Sequence, residues 1–314
     1  MKLLDLYRRF LRDDTGRLRA VKGTFAFLKT GVYYYLLKRR ITGRDYREAY
    51  DAASATYLRW TERMGKHTQK IVKLEYLNPK QGRVEVLDLA CGSGCITKKL
   101  LERWEAGGEL RVTAVDFSLG MLSCARKAIN DPRVRFVASE GAEFLKRQKP
   151  GTYDAVFFGW ALPYFDHAEL IPLLYRSLKP GGLAFLISNS KGTLAEMENI
   201  FIELMAEHPV EVNKVLDVSF RLPDGERGLS DWFARQGFAV LESGEGEEEV
   251  YFDDPRELYR WLCETGALAG AGRIFKDKGI MENAVVEKIR RRRGTGRRYM
   301  INHRFVYGIF RKAE

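Results

Sequence analysis

The chain changes rhythm near residue 82. Ahead of it apolar positions recur at helical spacing: Leu3, Leu4, Tyr7, Phe10 and Leu11 share a face, with Arg8, Arg9 and Arg12 flanking it. Phe25 to Arg40 repeats this mixture of aromatic and basic residues, and 46–74 reads as further helix. Asn78-Pro79-Lys80-Gln81-Gly82 then makes a turn.

Beyond it, short apolar runs alternate with helical segments, the pattern of a parallel sheet covered by helices. Strands are expected at Val84–Leu89, Arg111–Asp116, Val134–Ala138, Tyr153–Phe158 and Leu183–Ser188. Helices are expected at Cys95–Trp104, Leu119–Ile129, Ala142–Arg147 and Ala168–Leu178. Lys179-Pro180-Gly181-Gly182 is a turn leading into the fifth strand, because proline fixes one dihedral and glycine supplies a positive φ. After Ser190 the rhythm loosens into helices at Leu194–Glu207, Leu229–Gln236, Pro255–Thr265 and Met281–Arg292. Short strands at Ala239–Glu242 and Glu249–Phe252 flank a Gly- and Glu-rich turn over 243–249, and His303–Arg311 is the last strand. The fold class is therefore α/β with a doubly wound sheet.

Composition changes this picture little, but charge does. The net charge of +11 sits at the two ends: residues 1–49 hold 13 Lys and Arg against 5 Asp and Glu, and residues 287–314 hold 10 against 2. Such ends are either solvated helix faces or surfaces for an anionic partner. An anionic membrane surface is the partner expected of residues 1–40, and Arg290–Arg293, Arg297 and Arg298 keep a nucleic-acid reading open as the weaker one. The start of the chain lacks a secretory pattern, and the apolar stretch Thr24–Leu37 is too short to span a bilayer and is broken by Lys29 and Gly31. Cys91, Cys95, Cys124 and Cys263 follow neither a disulfide framework nor a zinc spacing, so no metal is expected and a cytoplasmic setting, peripheral to the membrane where the basic end docks, fits best.

The chemistry concentrates where the first two strands end. Ligands of open α/β sheets bind at the carboxyl ends of strands, near the point where strand order reverses. The first strand ends in Asp88-Leu89-Ala90-Cys91-Gly92-Ser93-Gly94, where Gly92 and Gly94 let the backbone turn sharply against a ligand. The second ends at Asp116, a carboxylate that can accept both hydroxyls of a ribose. A dinucleotide fingerprint would place a third glycine at Thr97, and a Walker loop would need Gly-Lys-Ser/Thr; neither is present.

The run VLDLACGSGCIT resembles motif I of the class I S-adenosylmethionine-dependent methyltransferases, departing from it only at Ala90, where the first glycine would stand. Alanine is small enough there that a minor effect is expected. VTAVDFSLGML, VRFVASEGAEF, YDAVFFGWALPYF and LLYRSLKPGGLAFL resemble the family's later motifs, in order. The resemblance implies a Rossmann-like, seven-stranded, mostly parallel sheet with an antiparallel last strand, occupying 76–314 after a basic, amphipathic helical extension over 1–75. Helical insertions are expected over 190–300, of which 250–278 would form a lid over the acceptor site with Tyr259, Trp261 and Leu262 as its apolar wall.

S-adenosyl-L-methionine is the implied cofactor, held by Asp88, Ala90, Gly92, Gly94, Asp116, Phe117, Met121, Glu140, Gly141, Ala142, Gly159 and Trp160. Tyr50 and Tyr57, in a helix resembling one that folds over the cofactor, either face it or simply pack. In the loop after the fourth strand, Tyr164 is the candidate pocket wall or hydrogen-bonding group, and His167 is either a general base or a neighbour of a helix cap. The implied activity is in-line methyl transfer to a small-molecule or lipid-like acceptor. An RNA methyltransferase using the basic ends, or a relative that binds the cofactor for other chemistry, is the alternative. The acceptor, its reacting atom and the oligomeric state are not written in the motifs.

Overall fold

The computed structural model describes residues 40–77, 82–104, 108–208, 210–215, 222–292 and 298–314. The basic helices expected over 3–11 and 25–40, and with them the membrane-facing surface, lie outside the described residues, apart from Arg40. So do Arg293 and Arg297. Among the described residues no helix is long and apolar enough to cross a membrane.

Two helices, α1 (Gly43–Ala53) and α2 (Leu58–Thr68), precede the sheet, followed by 3-10 turns at Gln69–Ile71 and Leu74–Tyr76. Strand β1 (Val84–Leu89) leads to α3 (Cys95–Arg103), β2 (Leu110–Asp116) to α4 (Leu119–Ala128), and β3 (Val134–Ala138) to α5 (Gly141–Arg147). Then come β4 (Tyr153–Gly159), a 3-10 turn at Leu162–Tyr164, α6 (His167–Ser177) and β5 (Leu178–Asn189). The remainder is α7 (Ala195–Glu207), α8 (Gly225–Ala234), β6 (Phe238–Phe252), α9 (Pro255–Glu264), α10 (Lys278–Arg291) and β7 (Tyr299–Lys312).

The seven strands form one sheet in the order β3-β2-β1-β4-β5-β7-β6. The first five pair in parallel, and β7 runs antiparallel to β5, as expected. Strand order reverses between β1 and β4, so the carboxyl end of β1 is the switch point at which this architecture receives ligands. The inner strands are apolar on both faces because helices cover both, and Leu87, Leu89, Val156, Phe158, Leu186 and Phe310 are each at most 1% exposed.

Two sequence expectations fail in the sheet. Lys179–Gly182 is not a turn ahead of β5 but a bulge inside it: Tyr153 pairs with Leu178 and Ala155 with Leu183, and Gly181 takes the positive φ of 70°. The segment 243–249 is not a turn at all, since β6 runs unbroken from Phe238 to Phe252. Its glycines answer to close packing: a Cβ on Gly244 would stand 2.6 Å from the Tyr307 hydroxyl oxygen, and one on Gly246 2.6 Å from Cζ of Phe305. The rings of β7 occupy the space that side chains at those two positions would need.

The chain divides into two compact units. The sheet unit comprises 47–193, 221–248 and 303–314. Its core includes Phe233 stacked on Phe310 at 3.9 Å, with Leu170, Leu174 and Leu229 fully or almost fully buried around the same cluster. Among the described residues the other unit takes in 40–46, 194–208, 210–215, 249–292 and 298–302, and is mainly helical. Its own core gathers Met197, Ile200 and Leu204 of α7, Leu258 and Leu262 of α9, and Val285 and Ile289 of α10. Lys288 binds Glu203 and Glu207 along this unit's surface, and Lys214 meets Asp45 at 2.6 Å.

Candidate functional site

Asp88 ends β1 completely buried. Its Oδ2 accepts from the amide of Thr97 at 3.1 Å and from the Thr97 hydroxyl at 2.6 Å, tying the strand to the first turn of α3. Thr97 is thus the residue that locks the loop, where a dinucleotide fold would put glycine. The second oxygen, Oδ1, has no partner among the described residues. Burial, with the nearby Asp116 charge, pushes the Asp88 carboxyl up to about 7 against the two Thr97 hydrogen bonds.

Between Asp88 and α3 the backbone turns through three left-handed residues: Ala90 at φ 54°, Gly92 at 54° and Gly94 at 84°. The family's first glycine is therefore a demand of backbone conformation, and alanine there carries strain of about 1 kcal/mol, which the small size of its side chain does not relieve. A Cβ on Gly92 would meet nothing within 4 Å, so the space over the loop is open there. Gly94 differs, since a Cβ would lie 2.7 Å from Cδ1 of Ile129.

Asp116 ends β2 beside this loop. Its Oδ2 accepts from the Gly92 amide at 2.8 Å and its Oδ1 from the Ser118 amide at 2.9 Å. Burial lifts its carboxyl to about 6 although these backbone donors oppose the shift. With the Phe117 amide as a third donor, the carboxylate, which has about four acceptor sites, keeps room for a further donor. Met121 is buried in the first turn of α4, and Phe117 is half-buried just before it.

The remaining predicted residues separate by what occupies their surroundings. Glu140 is exposed and caps α5 by accepting from the Glu143 amide at 2.8 Å, with Ala142 half-buried in the turn it caps. Gly141 gives way to the Phe165 ring, 2.8 Å from where its Cβ would be, and Gly159 gives way to Cδ1 of Ile96 at 2.7 Å. Trp160 holds a positive φ of 65°, and its indole N–H donates to the Thr68 hydroxyl at 2.9 Å.

A row of rings continues from it. Trp160 meets Trp60 edge-on at 5.0 Å, Trp60 stacks with Tyr57, Tyr57 meets Tyr50, and Tyr50 meets Tyr164. The Tyr50 hydroxyl donates to the Tyr164 hydroxyl at 2.7 Å. Burial keeps all three tyrosines neutral, and the negative field of Asp116 adds to this for Tyr50 and Tyr57. His167 is placed elsewhere: it opens α6 after the cap Asp166, and its ring lies flat on Trp232 of α8 at 3.8 Å.

Asp51 was not among the expected site residues. From α1 its Oδ1 accepts from the Ser118 hydroxyl at 2.6 Å and the Gly120 amide at 3.0 Å, a carboxylate seated on the amino end of α4. Gly120 admits α1 closely, since a Cβ there would lie 2.7 Å from the Ser54 hydroxyl. Helix α1, which carries Tyr50, is thereby fastened to the loop that begins at Asp116; Tyr57 is not on the same helix, as the sequence suggested, but in the turn that precedes α2. The visible signal was Ser118 as a cap ahead of an apolar helix, but its partner lies 67 residues away in sequence.

Residues 86–182 match the family model described as Methyltransferase domain. This segment is a methyltransferase domain. It resembles the malonyl-[acyl-carrier protein] O-methyltransferase of Acetivibrio thermocellus at 32% identity over 37% of this chain and 40% of that protein. It resembles the trans-aconitate 2-methyltransferase of an Azoarcus species at 36% identity over 33% of this chain and 39% of that protein. A longer alignment, 51% of this chain and 67% of the relative, joins it to the demethylmenaquinone methyltransferase of Lactococcus lactis at 28% identity. The chain thus spans about 40% of the length of the first two curated relatives. Among solved structures, a methyltransferase candidate from Bacillus halodurans superposes with a TM-score of 0.51 at 17% identity, over 78% of this chain and 100% of that one, which establishes the Rossmann-like fold.

The methyltransferase domain implies S-adenosylmethionine, and its residues fit that molecule. The buried Oδ1 of Asp88 lacks a donor among the described residues, which an ammonium supplies, and the remaining acceptor capacity of Asp116 suits a ribose hydroxyl. The open space over Gly92 leaves the backbone accessible to both. Among the described residues no group of His, Cys, Asp and Glu could hold a metal ion.

Proposed function

We propose that the chain is an S-adenosylmethionine-dependent methyltransferase that acts on a small-molecule or lipid-like acceptor by in-line transfer. The observation that carries this reading is the pair of buried strand-end carboxylates, Asp88 and Asp116, on either side of the left-handed loop from Ala90 to Gly94. When bound, S-adenosylmethionine supplies a methyl group activated on a sulfonium.

The chain's own residues then bind and orient. Asp88 fixes the loop through Thr97 and offers its free oxygen to a cationic group, while Asp116 accepts hydroxyls. Met121 and Phe117 give an apolar surface beside Asp116 suited to the adenine. Tyr50, Tyr57 and Tyr164 exclude water and present neutral hydroxyls, with Tyr164 positioned by its hydrogen bond from Tyr50. The reading assigns Tyr164 a role in orienting the acceptor; it assigns His167 none, because that ring is engaged on Trp232. The curated relatives named above carry acid and quinone acceptors in their names, and carboxylate oxygens need no base, in keeping with a site whose tyrosines are held neutral.

Calorimetric titration with S-adenosylmethionine tests the assignment. Asp116→Ala is expected to weaken binding by about tenfold or more, from the loss of charge-assisted hydrogen bonds. Unchanged affinity in a variant of wild-type circular dichroism would overturn the proposed site.

A further inference from the structure

The helical unit contains a cavity of about 360 Å³ that the methyl-transfer reading does not use. One wall is the face of α9 on which Arg256, Arg260 and Cys263 recur at four- and three-residue spacing. Phe201, Phe275, Met281 and Val285 form the apolar remainder, contributed by α7, the segment before α10, and α10 itself. At about 30 Å³ per water-sized group, the space takes roughly a dozen non-hydrogen atoms.

The charged side chains at its rim, Arg256, Arg260 and Glu282, are exposed to solvent. Lys288, Arg292 and Lys214 are each held by carboxylates. The Arg256 side chain, by contrast, has only the side-chain oxygen of Asn283, at 3.3 Å, among the described residues. Arg260 and Glu282 have no hydrogen-bond or ion-pair partner among the described residues, and Glu264, also at the rim, is already engaged. Glu282 stands on the side of Tyr259 and Cys263, both of which feel its charge. The cavity therefore joins an apolar interior to two solvated cations and a solvated anion that have no ion-pair partner among the described residues.

We propose that it binds a small zwitterion of the amino-acid type with an apolar side chain. The ligand carboxylate meets the guanidiniums of Arg256 and Arg260, its ammonium meets Glu282, and its side chain fills the space among Phe201, Phe275, Met281 and Val285. A ligand with one charge leaves either Glu282 or the arginines unmatched, and one without an apolar body leaves the interior wet.

The exposed thiol of Cys263 reports occupancy directly. The full chain is treated with a maleimide, and modification of Cys263 is followed by peptide mass analysis with L-phenylalanine, phenylpropionate or phenethylamine present. L-phenylalanine is expected to slow labelling of Cys263 while Cys124 reacts as before, and the two single-charge analogues to protect about tenfold more weakly. Arg260→Ala and Glu282→Gln are each expected to abolish protection without altering affinity for S-adenosylmethionine. Labelling that ignores L-phenylalanine, equal protection by all three compounds, or protection that survives both substitutions would overturn the proposal. The comparison of the three compounds needs only the unsubstituted protein, so it stands even where a variant fails to fold.

Discussion

The carboxylates at the strand ends and those of the helical unit respond to the fold in opposite ways. Asp88 and Asp116 are taken out of water and receive only neutral donors, so burial wins and both titrate upward. Asp45 is also penalised by burial, but the Lys214 ammonium and the Thr42 hydroxyl and amide outweigh it and hold the carboxyl below its ordinary value. Glu287 is drawn down by Arg290 and Arg291 on the surface. The two units thus contain the same chemical group in two functional conditions. Paired carboxylates contribute to the fold where they stand, whereas the strand-end pair burdens the fold and is available to a cationic ligand.

The largest expected effect follows from this difference. A carboxyl with a raised folded pKa keeps its proton in the native state longer than in the unfolded chain, so stability falls as pH rises from the ordinary value of 3.8 toward about 7. For Asp88 the fall is on the order of 4 kcal/mol without ligand. Asp88→Asn is expected to flatten it, measured as urea unfolding at several pH values across that window. A slope equal to that of the unsubstituted protein would erase the distinction drawn between the two sets. Asp45 works the other way, its contribution being present above the ordinary carboxylate range and lost on acidification.

A smaller effect tests the strain in the loop. Ala90→Gly removes a Cβ from a residue at φ 54° and is expected to raise stability by about 1 kcal/mol in thermal unfolding. A lower melting temperature would mean that the alanine methyl contributes packing worth more than the strain. The smallest effect belongs to the helical unit. Lys288→Ala breaks two ion pairs, to Glu203 and Glu207, yet should cost less than about 1 kcal/mol because those carboxylates remain solvated. A loss comparable to the change at Asp88 would show that surface pairing in this unit is more than incidental.

The inner strands were legible because both faces of the inner sheet are covered, so each reads as a mostly apolar run closed by a polar residue or a glycine. Val84–Leu89 needed no adjustment, and neither did Val134–Ala138, although that strand stands at the border of the sheet and none of its residues is fully buried. Asp88 and Asp116 were legible for a related reason: an acid directly after such a run stands at the end of a buried strand. What depends on contacts distant in sequence was not legible. Gly244 and Gly246 read as a turn because the rings of Tyr307 and Phe305 that explain them are some sixty residues downstream. Asp51 looked like one more polar residue on a helix until Ser118 was set beside it. Ala90 was judged by its volume, when its dihedral was the relevant quantity. His167 followed an aspartate as a base might, but the indole beneath it belongs to another helix.

Strand β6 lies at the border of the sheet, where an unpaired backbone invites another chain to add a strand. The same stretch that departs from a hairpin carries glutamates at 242, 245, 247, 248 and 249. Glu242 is engaged with Lys73 and Glu248 with Lys66 and His67, so part of the charge fastens the border to its own unit. A second molecule approaching edge to edge would bring its own acidic row against this one. Repulsion between the two rows would oppose such edge-to-edge growth, and acid that neutralises those side chains would weaken the opposition.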